Sequence, residues 1–553
     1  MTNDSLWAGH PASQTVTSLI LPRGRRDWQT HVGCEPATLA RAGLQLFVAC
    51  FDSGELLVLD ERDGNVLARS WVGHGPFGVL AAPGRIYVTL AHEEAILVLR
   101  DDTLAEIARV PTGQQPRGLA LNSDRLYVVH LVDAAVLAFN ARTMERLGET
   151  EVGLQAALAE SITLHPDRDR VYIPHQRQNV TNLGLLFDGT VFPVVSALDA
   201  KELRPVRREA LALDSVDTPV SMPTSVTLSP DGTRLYTANA ASDDISVIDL
   251  DLGRGVGHVA VGHHPRDLAL SPDGKRLYTL NLVSDDISVV DTDALTVAST
   301  FPLADDPRPA IIQQGERIFF ASQPDEIARD NWIACASCHF DAGFDGQTWL
   351  GVAGGPRNTP ILRGIRGTEP LHWSADRPNV QSFQQTFTGL MAGTGLAASE
   401  LDALAEYVNS LEPLPSPYRK AHVSLMDEAK EGALIFQQAG CAVCHRPALF
   451  TDRQMHVVGT GEPFRDHPVF SGKVAETMGP AFDTPSLREL WMTAPYLHDG
   501  RAATLRDVLT TFNPEDRHGR TSDLSEARLA ALEAFLLSLP LTSEEITKLF
   551  GGQ

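Results

Sequence analysis

A short run of β-forming apolar and aromatic residues recurs seven times in the first 325 positions, starting at Leu46, Ile86, Leu126, Val171, Leu235, Leu277 and Ile318. The intervals are 40, 40, 45, 64, 42 and 41 residues. Self-similarity at this period signals stacked supersecondary units, and a unit of this length with four short strands is a propeller blade. Second strands follow most runs, as at 245–250 and 287–292, and the turn SPDG precedes two of them, at Ser229 and Ser271. Seven starts predict an all-β seven-bladed propeller over 1–325. The run at Ile318 soon gives way to a different composition, so residues 15–22 are expected to complete that blade and close the ring, removing exposed sheet edges. The 64-residue interval implies an insertion at 176–218, a candidate contact loop.

Beyond position 325 the apolar period becomes helical. Leu401, Leu404, Val408 and Leu411 form one stripe, Leu529, Leu532, Leu536 and Leu539 a second, with a Pro-rich linker at 411–420. Two small all-α domains are expected, 326–415 and 416–553. A net charge of −24 repels phosphate backbones and anionic membranes and favours basic partners, which argues against nucleic-acid binding. No stretch approaches the ~18 apolar residues of a membrane span, and residues 1–14 lack the basic-then-apolar pattern of a leader.

Each helical segment begins near a CxxCH: Cys335-Ala-Ser-Cys338-His339 and Cys441-Ala-Val-Cys444-His445. Two thiols at this spacing form thioethers to the vinyl groups of a haem, and the adjacent histidine reaches the iron. A redox dithiol or chance pair would not recur ahead of two helical segments, so two covalently bound haem c groups and cytochrome c-like domains are expected. Haem c is attached outside the cytoplasm, which predicts a periplasmic protein although no leader is visible. The remaining Cys34 and Cys50 form either a disulfide or two buried thiols; a bridge requires Cα atoms within about 7 Å.

Residues 15–325 resemble the YVTN-type propellers, mainly through SPDGTRLYTANAASDDISVIDL and SPDGKRLYTLNLVSDDISVVDT, a likeness that specifies fold and not function. Residues 326–540 resemble the bacterial di-haem cytochrome c peroxidases, MauG-type enzymes included. The likeness rests on CASCH, GPRNTP (355–360), LHW (371–373), CAVCH, FTD (450–452), DTPSLREL (483–490) and TAPYLHDGRAATL (493–505).

The resemblance implies that His339 is the proximal ligand of a first haem where hydrogen peroxide or O2 is activated. No histidine stands between His339 and Pro356, where such peroxidases keep a removable distal one, so an open iron is expected. Gln347 and Trp349 are pocket candidates, with ordinary packing the alternative. Trp373 matches the tryptophan that relays electrons between haems, the alternative being a core side chain. Asn358, Thr493 and Pro495 match a calcium site, whose oxygen donors suit a hard cation. His445 is the proximal ligand of the second haem. The family's distal position falls near Phe512, which cannot ligate, so His518 is the candidate, with Met455, Met478 and Met492 as alternatives; His498 is read as a supporting or packing residue. Residues 374–399 lack the acid–base glutamate of the peroxidases, leaving Asp376, Gln381, Gln384 and Gln385, so Trp373, Gln384 and Gln347 are the catalytic candidates.

The function implied is a di-haem c oxidoreductase whose propeller recruits a protein or peptide substrate or a basic redox partner. The alternatives are a non-catalytic electron-transfer protein docking a redox partner, and a ligand-binding propeller with vestigial haems.

Overall fold

In the computed structural model, which describes residues 1, 4–184, 189–213, 218–352, 355–419, 424–461 and 479–551, seven antiparallel sheets follow one another along the chain. The first has three strands, Ser5–His10, Thr15–Ile20 and Arg25–His31; the fifth is enlarged to six; the other five have four each. This is the seven-bladed propeller. The recurrent runs are the second strands, buried almost throughout, as in Gln45–Cys50 and Arg125–His130. Their continuous apolar character reflects a blade covered on both faces by its neighbours. The outermost strands, such as Glu106–Pro111, alternate exposed and half-buried positions.

The Arg-x-Tyr signature of these strands joins successive blades. Tyr87 and Tyr127 hydroxyls donate to the carbonyls of Ala141 (2.6 Å) and Ala200 (2.7 Å), while Arg85 and Arg125 donate to the carbonyls of Arg142 and Lys201, both at 2.8 Å. The asparagines that end two of these strands are equally deliberate. Buried Asn239 donates through Nδ2 to Asp244 (2.8 Å) and Ser246 (2.7 Å), and Asn281 to Asp286 (2.6 Å) and Ser288 (2.9 Å), so each amide nitrogen finds its acceptors within its own hairpin, while Asn239 Oδ1 is left without a partner.

Ring closure differs from the sequence expectation. Ile318 starts no strand; it lies in helix α1, Ala310–Phe320. The seventh sheet is instead the amino-terminal one, whose Leu6, Ala8 and Leu19 pack with Tyr278, Ile287, Val289 and Phe301 of the last blade, joined by contact between His10 and Asp285. The run at Ile318 misled because a short apolar stretch fits a strand or a buried helix equally well. Its true counterpart is Gly432 to Gln437 of α3 (Asp427–Gln438), GALIFQ against GERIFF. α2 spans Ala398–Ser410, α4 Leu505–Leu509, α5 Glu526–Leu537 and α6 Ser543–Phe550. A Cβ on Gly315 would lie 2.0 Å from Ala403 O, and one on Gly432 1.9 Å from Ala531 O, so α1 on α2 and α3 on α5 both cross at a glycine. Phe436, Phe450 and Phe535, all fully buried, anchor the second helical core.

Two compact units result: Met1–Gln178 with Val191–Gln313 and Phe319–Ser337, and Asn179–Thr190 with Gln314–Ile318 and Cys338–Gln553. The long interval contains two nine-residue strands, Arg170–Gln178 and Val191–Asp199, and the 179–190 turn between them groups with the second unit, where the Leu350 amide donates to Val180 O at 2.9 Å.

Candidate functional site

The second unit repeats itself. Asn358 and Asp483, Pro370 and Pro495, Trp373 and His498 are each 125 positions apart. The chain traces the same path at both places, with bridges Leu371↔Arg377 and Tyr496↔Ala502 and left-handed φ at His372 (70°) and Leu497 (71°). The two halves hold one another reciprocally. The Asn358 amide donates to His498 O (2.6 Å), and the Asp483 amide donates to Trp373 O (2.9 Å). Arg363 pairs with the fully buried Glu489 at 3.0 Å, and Arg488 donates to the carbonyl of Gly364.

Each CxxCH histidine is oriented by main chain. His339 Nδ1 lies 2.9 Å from Pro360 O and His445 Nδ1 3.1 Å from Phe450 O. A carbonyl only accepts, so Nδ1 carries the proton in both rings and Nε2 keeps its lone pair. Burial pushes both imidazoles down to about 4, holding them neutral as a ligand must be. None of the four motif cysteines is in a disulfide; the one disulfide among the described residues joins Cys34 and Cys50, with Cα atoms 5.5 Å apart. Two thiols and a neutral, pre-oriented imidazole in each motif fit haem c.

His518 faces His445, with ring centres 6.2 Å apart and planes at 44°. Two imidazoles on opposite sides of one iron place their centres about 6 Å apart, given metal–imidazole bonds of about 2 Å. The His518 loop is fixed by Asn513, whose Oδ1 accepts the His518 amide (2.8 Å) and whose Nδ2 donates to Thr521 Oγ1 (2.8 Å). The alternatives stand differently: Met455 is 41% exposed, Met492 sulfur accepts from Arg363 at 3.3 Å, and Met478 lies outside the described residues.

Trp373 is half-buried, donates through Nε1 to Asn358 O (2.9 Å), and meets the His498 ring edge-on. His498 is stacked on Phe482 at 3.9 Å. Asn358 Nδ2 approaches Pro495 O at 2.5 Å while its buried Oδ1 has no hydrogen-bond partner, and Thr493 caps the short Leu490–Met492 turn two residues before Pro495. A buried amide oxygen left unsatisfied, on a side chain that also reaches a proline carbonyl, offers oxygen donors of the kind a hard cation takes.

Gln384 bonds the main chain of Leu396 through both amide atoms, at 2.9 and 3.0 Å, and Gln347 lies half-buried beside the Thr348–Trp349 strand. Trp349 donates to Asp345 Oδ2 (2.9 Å). Sequence reading passed over Asp345, which is fully buried and pushed by that burial up to about 7. It also passed over His372, whose Nδ1 lies 2.9 Å from Asp376 Oδ1. A His-x-x-x-Asp spacing beside Trp373 was the available signal.

A seven-bladed propeller followed by a duplicated helical unit, with a haem motif in each half, defines a propeller-bearing c-type redox protein. Residues 195–301 match the family model "Lactonase, 7-bladed beta-propeller". Hydrazine synthase subunit gamma of Kuenenia stuttgartiensis is 32% identical over 37% of this chain and 72% of its own length. Methylamine utilization protein MauG of Methylorubrum extorquens is 27% identical over 44% and 82%. The solved structure of Kuenenia stuttgartiensis hydrazine synthase covers 53% of this chain and 94% of that chain, at 18% identity and TM-score 0.49. The chain belongs to the family of hydrazine synthase subunit gamma, and proteins named MauG and cytochrome-c peroxidase are among its homologues. No helix among the described residues is long and apolar enough to cross a membrane.

Proposed function

We propose that this protein is a periplasmic di-haem c oxidoreductase that activates peroxide, or O2, at the His339 site and exchanges electrons through Trp373 with the His445 site. One asymmetry carries the reading: His445 is faced by a second imidazole at 6.2 Å, whereas among the described residues no ring faces His339 in this way. One closed and one open site is the division of labour that peroxide chemistry needs. Bound haem c supplies a redox-active iron at each site and an open coordination position at the first.

The chain's own groups do the rest. Pro360 O and Phe450 O fix the two CxxCH imidazoles, and His518 would hold the second haem together with His445, a pair of imidazoles that would give it a lower potential than an imidazole and a thioether. Trp373 lies beside the contact between the halves and needs no substrate to enter the first pocket. Asn358, Thr493 and Pro495 hold a calcium ion that ties the halves together. The acidic propeller, in a chain of net charge −24, recruits a basic protein, peptide or redox partner.

Ferric EPR with and without peroxide tests this. One high-spin and one low-spin signal, with the high-spin signal consumed by peroxide, is the expected result. Two low-spin signals that peroxide leaves unchanged would overturn it.

A further inference from the structure

We propose that His372, oriented by Asp376, is the acid–base residue of the first haem site, in the place of the glutamate that residues 374–399 lack; this rests on the peroxide reading above. Asp376 Oδ1 lies 2.9 Å from His372 Nδ1 and is itself held by the Ser374 hydroxyl (2.6 Å), while Arg377 grips its other oxygen (2.5 Å). A carboxylate facing Nδ1 accepts a hydrogen bond from it, so Nδ1 carries the hydrogen and Nε2 is left as the base, and among the described residues no group hydrogen-bonds to Nε2. The Phe383 ring sits edge-on to the imidazole at 4.9 Å and fixes its plane. His372 and His339 are both half-buried, and a charge on His372 would disfavour one on His339.

The repeat supplies an internal control. At the equivalent place in the second half the backbone has the same left-handed φ, yet the residue is Leu497, and Asp376 is replaced by Arg501, which pairs with Asp499. The chain path therefore does not require a histidine. Only the half with the open site carries the His–Asp pair.

Burial lowers the imidazole, opposed by Asp376 and assisted by Arg377 and Arg357, which keeps it ready to accept a proton. Burial works against the Asp376 carboxylate, but Ser374 and His372 hold it below the usual range. In the step assigned, Nε2 takes the proton from one peroxide oxygen and returns it to the other as the O–O bond breaks. Overall, one peroxide accepts two electrons from the haem pair and two protons, and leaves as two waters.

Cyanide is the probe besides peroxide, on the full-length ferric holoprotein, because hydrogen cyanide must lose its proton to bind. His372→Ala is expected to slow cyanide association by about 10²-fold or more, the usual cost of a lost acid–base group, while the resting EPR spectrum stays unchanged. His372→Gln keeps a donor but no base and should stay slow. Asp376→Asn retains the imidazole but presents the wrong tautomer, and should also slow association if His372→Ala cannot be folded with haem. Unchanged cyanide association in these variants overturns the proposal. A new high-spin signal in His372→Ala would make His372 an axial ligand and overturn it equally. Failure of the wild-type ferric protein to take up cyanide or peroxide would instead bring down the peroxide reading itself.

Discussion

Trp373 and His498 meet edge-on across the two halves of the haem unit, ring centres 6.3 Å apart and planes at 69°, at equivalent positions of the repeat. Each also has its main-chain carbonyl bound by the other half, so the aromatic pair is clamped from the backbone. Replacing Trp373 with Phe removes the Nε1 donor to Asn358 O and the more oxidisable ring. Stopped-flow absorbance should then show slower electron exchange between the haems, with the peroxide-binding step unaffected.

His518→Ala should convert the second haem from low-spin to high-spin, doubling the high-spin EPR signal of the resting ferric protein. His518→Met should keep it low-spin and raise its midpoint potential, since thioether ligation favours the reduced iron. A low-spin spectrum untouched by His518→Ala would assign the ligand elsewhere.

Chelation should weaken the link between halves at Asn358 and Pro495. Calorimetric titration of chelator-stripped protein with Ca²⁺ is expected to show one site, abolished in Asn358→Ala. Thermal unfolding of the stripped protein should come at lower temperature, because a ligand bound only by the fold stabilises it.

Gly432 lies where α3 crosses α5, with no room for a methyl group. Gly432→Ala should destabilise the protein by about 1–3 kcal/mol, the usual cost of overpacking, read as a lowered midpoint in denaturant. Gly440, with nothing near its Cβ position but a left-handed φ of 86°, tests backbone strain in place of crowding.

Asp345 links stability to pH. Its folded carboxyl sits near 7 against about 4 unfolded, so between those values the folded state holds the proton more tightly. Its contribution is complete below about 4, is lost as pH rises to about 7, and is constant above that. Asp345→Asn, scanned by Tm across this range, should remove that slope and keep the Trp349 contact.

The propeller was legible because its signal repeats: an Arg-x-Tyr strand every forty or so residues reports a stack whichever blade is read. Ile318 was misplaced because IFF carries no period, and only its likeness to Ile435-Phe436 beside a second glycine reveals a helix. The two CxxCH motifs were legible from spacing alone, since such a motif is local, and the structure adds the carbonyls that orient their imidazoles. His518 could be nominated by elimination, but its facing of His445 is a long-range relation that no spacing encodes. The His372–Asp376 contact was not legible, because the carboxylate that gives the imidazole a direction is met only when the chain turns back at Ala375.

The reciprocal amides at Asn358 and Asp483 have a consequence for biosynthesis. A nascent chain that has emerged only as far as Trp373 has no His498 carbonyl to receive the Asn358 main-chain amide, and the Trp373 carbonyl waits for Asp483. Neither half is a portable module. Folding is therefore ordered in time, the later half arriving before the earlier one is finished.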